Sequence, residues 1–303
     1  MLCFRDFCIP IDMQEDKLLG KRIDYPKTYC PDILVGVPRA INRKIYNIEK
    51  AEELFCGYDS WHAYETGFLL GNGMPVTGIL KIVYPATSPC IVESKSLKLY
   101  LASFNMEKQG TTRPQAIAAF TRTVKKDLSR LLDTEVQVGF FESIPETEPF
   151  DFSDYRILEE IVNPENVSFS VYREEPELLT ENAGITPGEL KAGSHLLKSN
   201  CKITNQPDWG SVYIHIRAQR LPDAGALLKY IVSLRNENHF HEEICEMMFK
   251  MLTDLFQPEI LSVCCLYTRR GGIDICPARA NRPEYLPRFL AYPEILTRKG
   301  FRQ

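Results

Sequence analysis

Cys201 stands seven residues before Asp208, with Asn205, Gln206 and Pro207 between them. A thiolate is a strong nucleophile, and it needs a lowered pKa or a nearby base to form at neutral pH. A turn at Gln206-Pro207 brings Asp208 back toward the thiol. An aspartate beside a thiolate does not help it form, because like charges repel. The carboxyl is therefore expected to hold a proton and to act as a general acid. A buried cysteine and a turn aspartate satisfy the same spacing, and on pattern alone that plainer reading stays open.

Three other segments carry charge in a patterned way. Glu93-Ser94-Lys95-Ser96-Leu97-Lys98-Leu99-Tyr100 clusters polar residues at an expected helix start. Free backbone N–H groups there, with Ser94 and Lys95, form an anion site. The alternative is an amphipathic helix with Glu93, Lys95 and Lys98 in water. Asn238-His239-Phe240-His241-Glu242-Glu243 opens a second helix, with its acids suited to the first turn. Glu242 is a candidate acceptor for a ligand's N–H groups. His241-Glu242 begins a zinc-protease pattern, but Cys245 occupies the place of the second histidine, so no metal site is expected. Arg269 and Arg270 precede Gly271-Gly272, which suits phosphate binding or an ordinary strand-ending turn. No G-x-G-x-x-G run occurs, so any dinucleotide is held by scattered groups.

The composition limits what surrounds these residues. The chain has 303 residues, 44% hydrophobic and 25% charged, which is globular and long enough for two domains. A net charge of −4 gives no broad basic field, so direct nucleic-acid binding is not expected. No apolar run approaches the ~20 residues of a membrane span. Met1-Leu2-Cys3-Phe4-Arg5-Asp6 lacks the basic and apolar regions of a signal peptide, and a cytoplasmic protein is the expectation. The ten cysteines include no C-x-x-C pair and are read mostly as buried thiols rather than a disulfide framework.

The elements follow from period and punctuation. The first sixty residues read as irregular, broken by Pro26, Pro31 and Pro38. A strand is expected over residues 76–84 and a helix over 94–104. Pro114 opens a longer helix with Ile117, Phe120, Val124, Leu128 and Leu131 on one face. Val136, Val138 and Phe140 alternate as a strand. In the second half, Val212, Ile214 and Ile216 alternate as a strand with one buried face. Helices over 226–234 and 242–256 and an apolar strand over 260–268 complete the order. This is a duplicated strand–helix–helix–strand unit, with modules over 1–150 and 151–303. Residues 142–159, acidic and holding Pro145 and Pro149, read as an exposed linker.

These segments together resemble the QueF family of NADPH-dependent 7-cyano-7-deazaguanine reductases, in its long two-module form. The resemblance is carried by the Glu93-to-Tyr100 octapeptide, the Asn200-to-Gly210 stretch, Phe240-His241-Glu242 and the run from Tyr267 to Pro277. Gly57-Tyr58-Asp59-Ser60-Trp61 with Tyr64-Glu65 adds to it. It covers nearly the whole chain, roughly Leu19 to Arg279. The departures are an extra residue between Leu221 and Gly225, Ala278 in place of a bulkier residue, and an unfamiliar tail after Arg279.

The resemblance implies an α+β fold of two tandem tunnelling-fold (T-fold) domains, antiparallel sheets with helices on one face. It implies that Cys201 attacks the nitrile carbon to form a thioimide and that Asp208 protonates the nitrogen. Val92, Glu93, Ser94, Phe240, His241 and Glu242 would hold the deazaguanine. Ser94, Lys95, Arg270 and Gly271 would contact NADPH, two per turnover, with no metal. The product, 7-aminomethyl-7-deazaguanine, belongs to queuosine biosynthesis in tRNA modification. A homodimer is the expected assembly. The competing readings are a zinc-dependent purine or pterin enzyme of the same fold, and a nucleobase- or tRNA-binding protein.

Overall fold

The computed structural model describes residues 26–184 and 186–303. The leader reading of residues 1–6 lies outside them. Among the described residues, β-branched and aromatic runs form twelve strands. They are β1 Gly36–Pro38, β2 Cys56–Leu69, β3 Pro75–Pro85, β4 Cys90–Val92, β5 Gln137–Phe141, β6 Arg156–Ile157, β7 Gly188–Ser194, β8 Lys198–Cys201, β9 Pro207–Ala218, β10 Asn238–His239, β11 Ile260–Tyr267 and β12 Ile273–Ala280. The longer helices are α1 Ser94–Ala102, α2 Arg113–Leu132, α3 Ala224–Ser233 and α4 His241–Phe256.

Ten of the strands make one sheet, in the order β10-β8-β9-β11-β12-β2-β3-β5, with β7 also on β9 and β6 on β7. The pairings are antiparallel except β10 with β8 and β6 with β7. The two halves of the chain meet inside this sheet, where β12 pairs with β2 from Ile273 opposite Ala63 to Ala280 opposite Cys56. The order of elements repeats. A strand pair, two helices and a returning strand occur as β2-β3-α1-α2-β5 and again as β8-β9-α3-α4-β11.

The helices cover one face of the sheet. Phe120, Val124 and Leu128 of α2 pack with Trp61, Leu80 and Ile82. Ile244, Met248 and Leu252 of α4 pack with Ile214, Leu261 and Val263. The expected stripe on α2 holds, but its edges differ. Ala116 and Leu132 are buried, while Ile117 and Leu131 are only half-buried.

Three expectations fail for physical reasons. β9 is buried on both faces, not one, because Tyr213 stacks on Phe152 at 4.2 Å. The stretch expected to be an exposed linker is exposed at residues 142–147, but Phe150, Phe152 and Tyr155 then fold onto the far face of the sheet. β2 falls partly in the region read as irregular. It carries Asp59, Ser60 and His62, all fully buried, so no apolar alternation announces it. Among the described cysteines, Cys30, Cys56, Cys201, Cys245, Cys264, Cys265 and Cys276 are free, whereas Cys90 is disulfide-bonded.

Candidate active site

The Cys201–Asp208 spacing is decoded by the register of the β8–β9 hairpin. Ser199 lies opposite Asp208, and Asn200 lies opposite Pro207. Cys201 is two residues beyond Ser199, so it shares a face with Asp208 and is its diagonal neighbour, about 7–8 Å away between backbones. The reversal itself occupies Lys202 to Asn205, one step earlier than expected. The Cys201 N–H donates to Gln206 O at 2.8 Å, and the Asn205 N–H donates to Cys201 O at 2.9 Å. Asn205 takes the left-handed conformation this requires (φ 54°). β10 then runs parallel to β8, with His239 opposite Cys201. Phe240 and the first turn of α4 follow at once and arrive beside the hairpin.

All these parts open on one cavity of about 370 Å³. Every residue given a catalytic, substrate or cofactor role lines it: Val92, Glu93, Ser94 and Lys95 from the first half, and Cys201, Asp208, Phe240, His241, Glu242, Arg270 and Gly271 from the second, whereas Arg269 does not. Trp61, Lys98, Thr204, Gln206, Ile273 and Ile275 also line it. Lys98 and Trp61 sat in segments already marked by the resemblance. The two isoleucines also fell inside a run marked by the resemblance, Tyr267 to Pro277, but had no role assigned to them.

Arg270 sits on a two-residue turn between β11 and β12. Its N–H and C=O pair with those of Ile273, and Gly271 and Gly272 both have positive φ (60° and 80°). Such a turn demands φ > 0 at both central positions, which glycine supplies without strain. The arginine faces inward. Its Nη1 donates to Asp208 Oδ1 at 2.5 Å, and Nη2 donates to Thr204 Oγ1 at 2.9 Å and Gln206 Oε1 at 2.6 Å. His241 Nε2 lies 3.4 Å from the other Asp208 oxygen, and its ring stacks on Tyr267 at 3.9 Å.

This geometry corrects the expected protonation of Asp208. Burial alone raises its pKa, but His241 and then Arg270 outweigh burial and hold the carboxyl below the usual carboxylate range. Asp208 is ionised in this arrangement and is not yet an acid.

Glu242 is the reverse case. Burial, reinforced by Asp59, pushes it up to about 8 against the pull of Arg39. Its Oε1 is buried with no hydrogen-bond partner. Beneath it lies an ion network with no precedent in the sequence reading. Arg279 donates to Asp59 at 2.8 Å and to Glu246 at 2.9 Å, Arg43 donates to Glu246 at 2.7 Å, and Arg39 pairs with Asp59. These residues come from four separate segments, so no spacing could reveal them.

The anion site expected at the start of α1 is also corrected. Glu93 is the N-cap of that helix. Its two carboxylate oxygens accept the N–H groups of Lys95 at 2.9 Å and Ser96 at 2.6 Å. Those donors are therefore already used by a negative group. The cations Lys95, Lys98 and Arg270 around the cavity remain the features that fit an anionic cofactor.

His241 and Cys245 do not converge. Cys245 Sγ contacts Val263 O at 3.4 Å, and Cys245 is not among the residues lining the cavity. Among the described residues one other set of possible metal donors converges: His62, Asp274 and Cys276, all buried, with ligand atoms within 4.8 Å. It lies across β12 from Ile273 and Ile275, and Lys299 Nζ, 3.3 Å from Asp274, already supplies positive charge there.

The profile described as nitrile reductase, 7-cyano-7-deazaguanine-reductase N-term, matches residues 25–140. That described as QueF-like protein matches residues 207–285. The NADPH-dependent 7-cyano-7-deazaguanine reductase of Coxiella burnetii (strain Dugway 5J108-111) is 40% identical over 275 residues, 90% of this chain and 94% of that one. The chain belongs to the QueF family. Proteins of the same description from Colwellia psychrerythraea and Legionella pneumophila (strain Lens) are each 40% identical, over 89% and 88% of this chain and 93% and 90% of theirs. A solved structure of the archaeosine synthase QueF-Like aligns with 33% of this chain and 97% of its own, at 17% identity and a TM-score of 0.28, too distant to carry a fold argument. The first QueF match contains Glu93, and the second contains Asp208, Glu242 and Arg270. Among the described residues no helix is long and apolar enough to cross a membrane.

Proposed function

We propose that this chain reduces the nitrile of 7-cyano-7-deazaguanine to 7-aminomethyl-7-deazaguanine with NADPH, as a step of queuosine biosynthesis. The observation that carries this reading is the convergence of Cys201, Asp208, Glu93 and Glu242 on one cavity. The family and the names of its members supply the substrate.

In this reading Cys201 Sγ attacks the nitrile carbon, and Asp208 delivers a proton to the nitrogen. A thioimide results, in which the unreactive triple bond has become a C=N bond that accepts hydride. Glu93 and Glu242 accept the N–H donors of the base edge, and Phe240 stacks on its face. Val92, Ser94 and His241 border the base. Ser94, Lys95, Arg270 and Gly271 hold the cofactor, which when bound supplies one hydride for each of two reductions. No metal takes part.

Each half is read as one T-fold module, a proposal supported by the repeated element order. A cytoplasmic homodimer without nucleic-acid contact completes the reading.

The test is intact-mass spectrometry after incubation with 7-cyano-7-deazaguanine and no NADPH. The chain should gain one substrate mass, and Cys201→Ala should gain none. An adduct on the alanine variant removes Cys201 as nucleophile. With cofactor present, two NADPH should be consumed per amine, and one per imine released would overturn the four-electron reading.

A further inference from the structure

Two roles assigned above compete for one guanidinium. Arg270 is read as a cation for the cofactor's phosphates, yet both of its terminal nitrogens are engaged inside the cavity, one on Asp208 and the other on Thr204 and Gln206. The Arg270 side chain is 38% exposed and that of Asp208 only 5%. An incoming anion can therefore reach the arginine while the aspartate stays shielded. A phosphate that engages the guanidinium shares or withdraws the charge that Asp208 leans on.

The proton balance of the reaction gives this competition a purpose. Adding a thiol across a nitrile is proton-neutral. An S–C bond forms, one π bond of C≡N breaks, and the thiol proton ends on nitrogen. An ionised Asp208 suits that step, because it can take the thiol proton, pass it to nitrogen and end as a carboxylate again. Each reduction is different. Hydride from NADPH adds to carbon, the π electron pair moves to nitrogen, and nitrogen takes a proton that neither the thiol nor the hydride supplies. That proton comes from solvent through an acid in the cavity.

We propose that Arg270 is a shared counter-ion, which holds Asp208 as a carboxylate for thiol addition and then yields to the cofactor's phosphates. Cofactor binding thereby loads Asp208 with the proton that hydride transfer consumes. This rests on the roles given to Cys201, Asp208 and Arg270 under the proposed function.

A shielded carboxylate that loses its cation takes a proton, because desolvation disfavours the charged form. The groups facing Asp208 are few. His241 approaches from α4, Arg270 from the β11–β12 turn, Lys198 and Cys201 from β8, and Tyr267 from β11. The His241 contact, at 3.4 Å, is long for a hydrogen bond. Arg270, at 2.5 Å, is the tighter restraint.

Titration calorimetry with NADP+, which binds without reducing, tests this on the full chain. Measurement near pH 5, within reach of a carboxyl raised by about 1–3 units on losing a neighbouring cation, in two buffers of different ionisation enthalpy counts protons exchanged on binding. Wild type should take up a measurable fraction of one proton per chain beyond any exchange seen with Asp208→Asn. Asp208→Asn should bind NADP+ without that extra uptake. Equal exchange in the two proteins overturns the proposal, and so does a failure to bind NADP+.

The cofactor-free thioimide adduct supplies a second readout. In Arg270→Gln its formation should survive, but its acid limb should move up by about 1–3 pH units, as expected when a neighbouring cation is removed. An unmoved limb counts against Arg270 as the counter-ion. If wild type forms no adduct at all, the nitrile-reductase reading fails. If the adduct forms normally and NADP+ binds without that extra uptake, only the coupling fails.

Discussion

Glu93 precedes α1 in the first half and Glu242 opens α4 in the second, so each half brings one carboxylate to the cavity at a helix start. Glu93 is the N-cap, and its carboxylate is spent on the N–H groups of Lys95 and Ser96. Glu242 lies two residues further in than the cap Phe240. There the capping contact is made by Glu243, which accepts the Phe240 N–H at 3.1 Å. Relieved of that task, Glu242 turns into the protein over the Arg39–Asp59–Glu246–Arg279 network. A shift of two positions along a helix start thus separates a carboxyl engaged by backbone N–H groups from a buried carboxyl that holds its proton near neutral pH. Recognition of a base by two glutamates would then be unequal, with one acceptor prepared and the other gated by pH.

The largest effect should come from the support that only the Glu242 side possesses. Asp59→Asn leaves Arg39 and Arg279 buried without their shared anion, and a broken buried pair typically costs about 3–5 kcal/mol. Urea unfolding should show that loss. A change under 1 kcal/mol would mean the network does not carry the second half's carboxylate.

Glu242→Gln should act on binding and stability in opposite directions. An amide in place of the acceptor faces a ligand donor with a donor, at a typical cost of about 1–3 kcal/mol. In wild type, 7-cyano-7-deazaguanine should bind more tightly as pH rises toward about 8, because the carboxylate form is the one that accepts two N–H groups. The sign for stability is the reverse. A carboxyl whose pKa is raised by folding contributes fully below the ordinary glutamate range, and that contribution is lost as pH rises through the folded value. Between roughly pH 5 and 8 wild type should therefore lose stability that Glu242→Gln keeps. Calorimetric melting of both proteins across that window checks it. Parallel curves would show that Glu242 is not the strained member.

Glu93→Ala should give the smallest of the three stability changes, about 0.5–2 kcal/mol from the lost cap. Its melting loss should be paired with weaker substrate binding. A full-size melting loss with unaltered binding would make Glu93 a helix cap and nothing more.

Much of this was readable along the chain. Pro75 and Pro85 bracket β3, Pro114 starts α2, and the stripe of Phe120, Val124 and Leu128 faces the sheet, because apolar period and proline act locally. The Cys201-to-Asp208 spacing was readable for the same reason, since a tight hairpin fixes its own register. β2 was not readable. Its Asp59 and His62 are satisfied by Arg279 and Asp274, more than two hundred residues away, and partners that distant leave no mark on local pattern.

By itself the sequence determined which residue types stand at which spacings: a cysteine and an aspartate on one hairpin, two glutamates at two helix starts, and an arginine before paired glycines. It determined β3, α1, α2, β5, β9, α3, α4 and β11 and their order, for the same local reasons. Only the tertiary structure decided their charge states. Asp208 is ionised because the start of α4 brings His241 to it and the β11–β12 turn brings Arg270. Glu242 keeps its proton because packing buries it at the start of α4 near Asp59 of β2. A pKa responds to desolvation and to every nearby charge, and both are properties of packing across the whole sheet rather than of any run of residues.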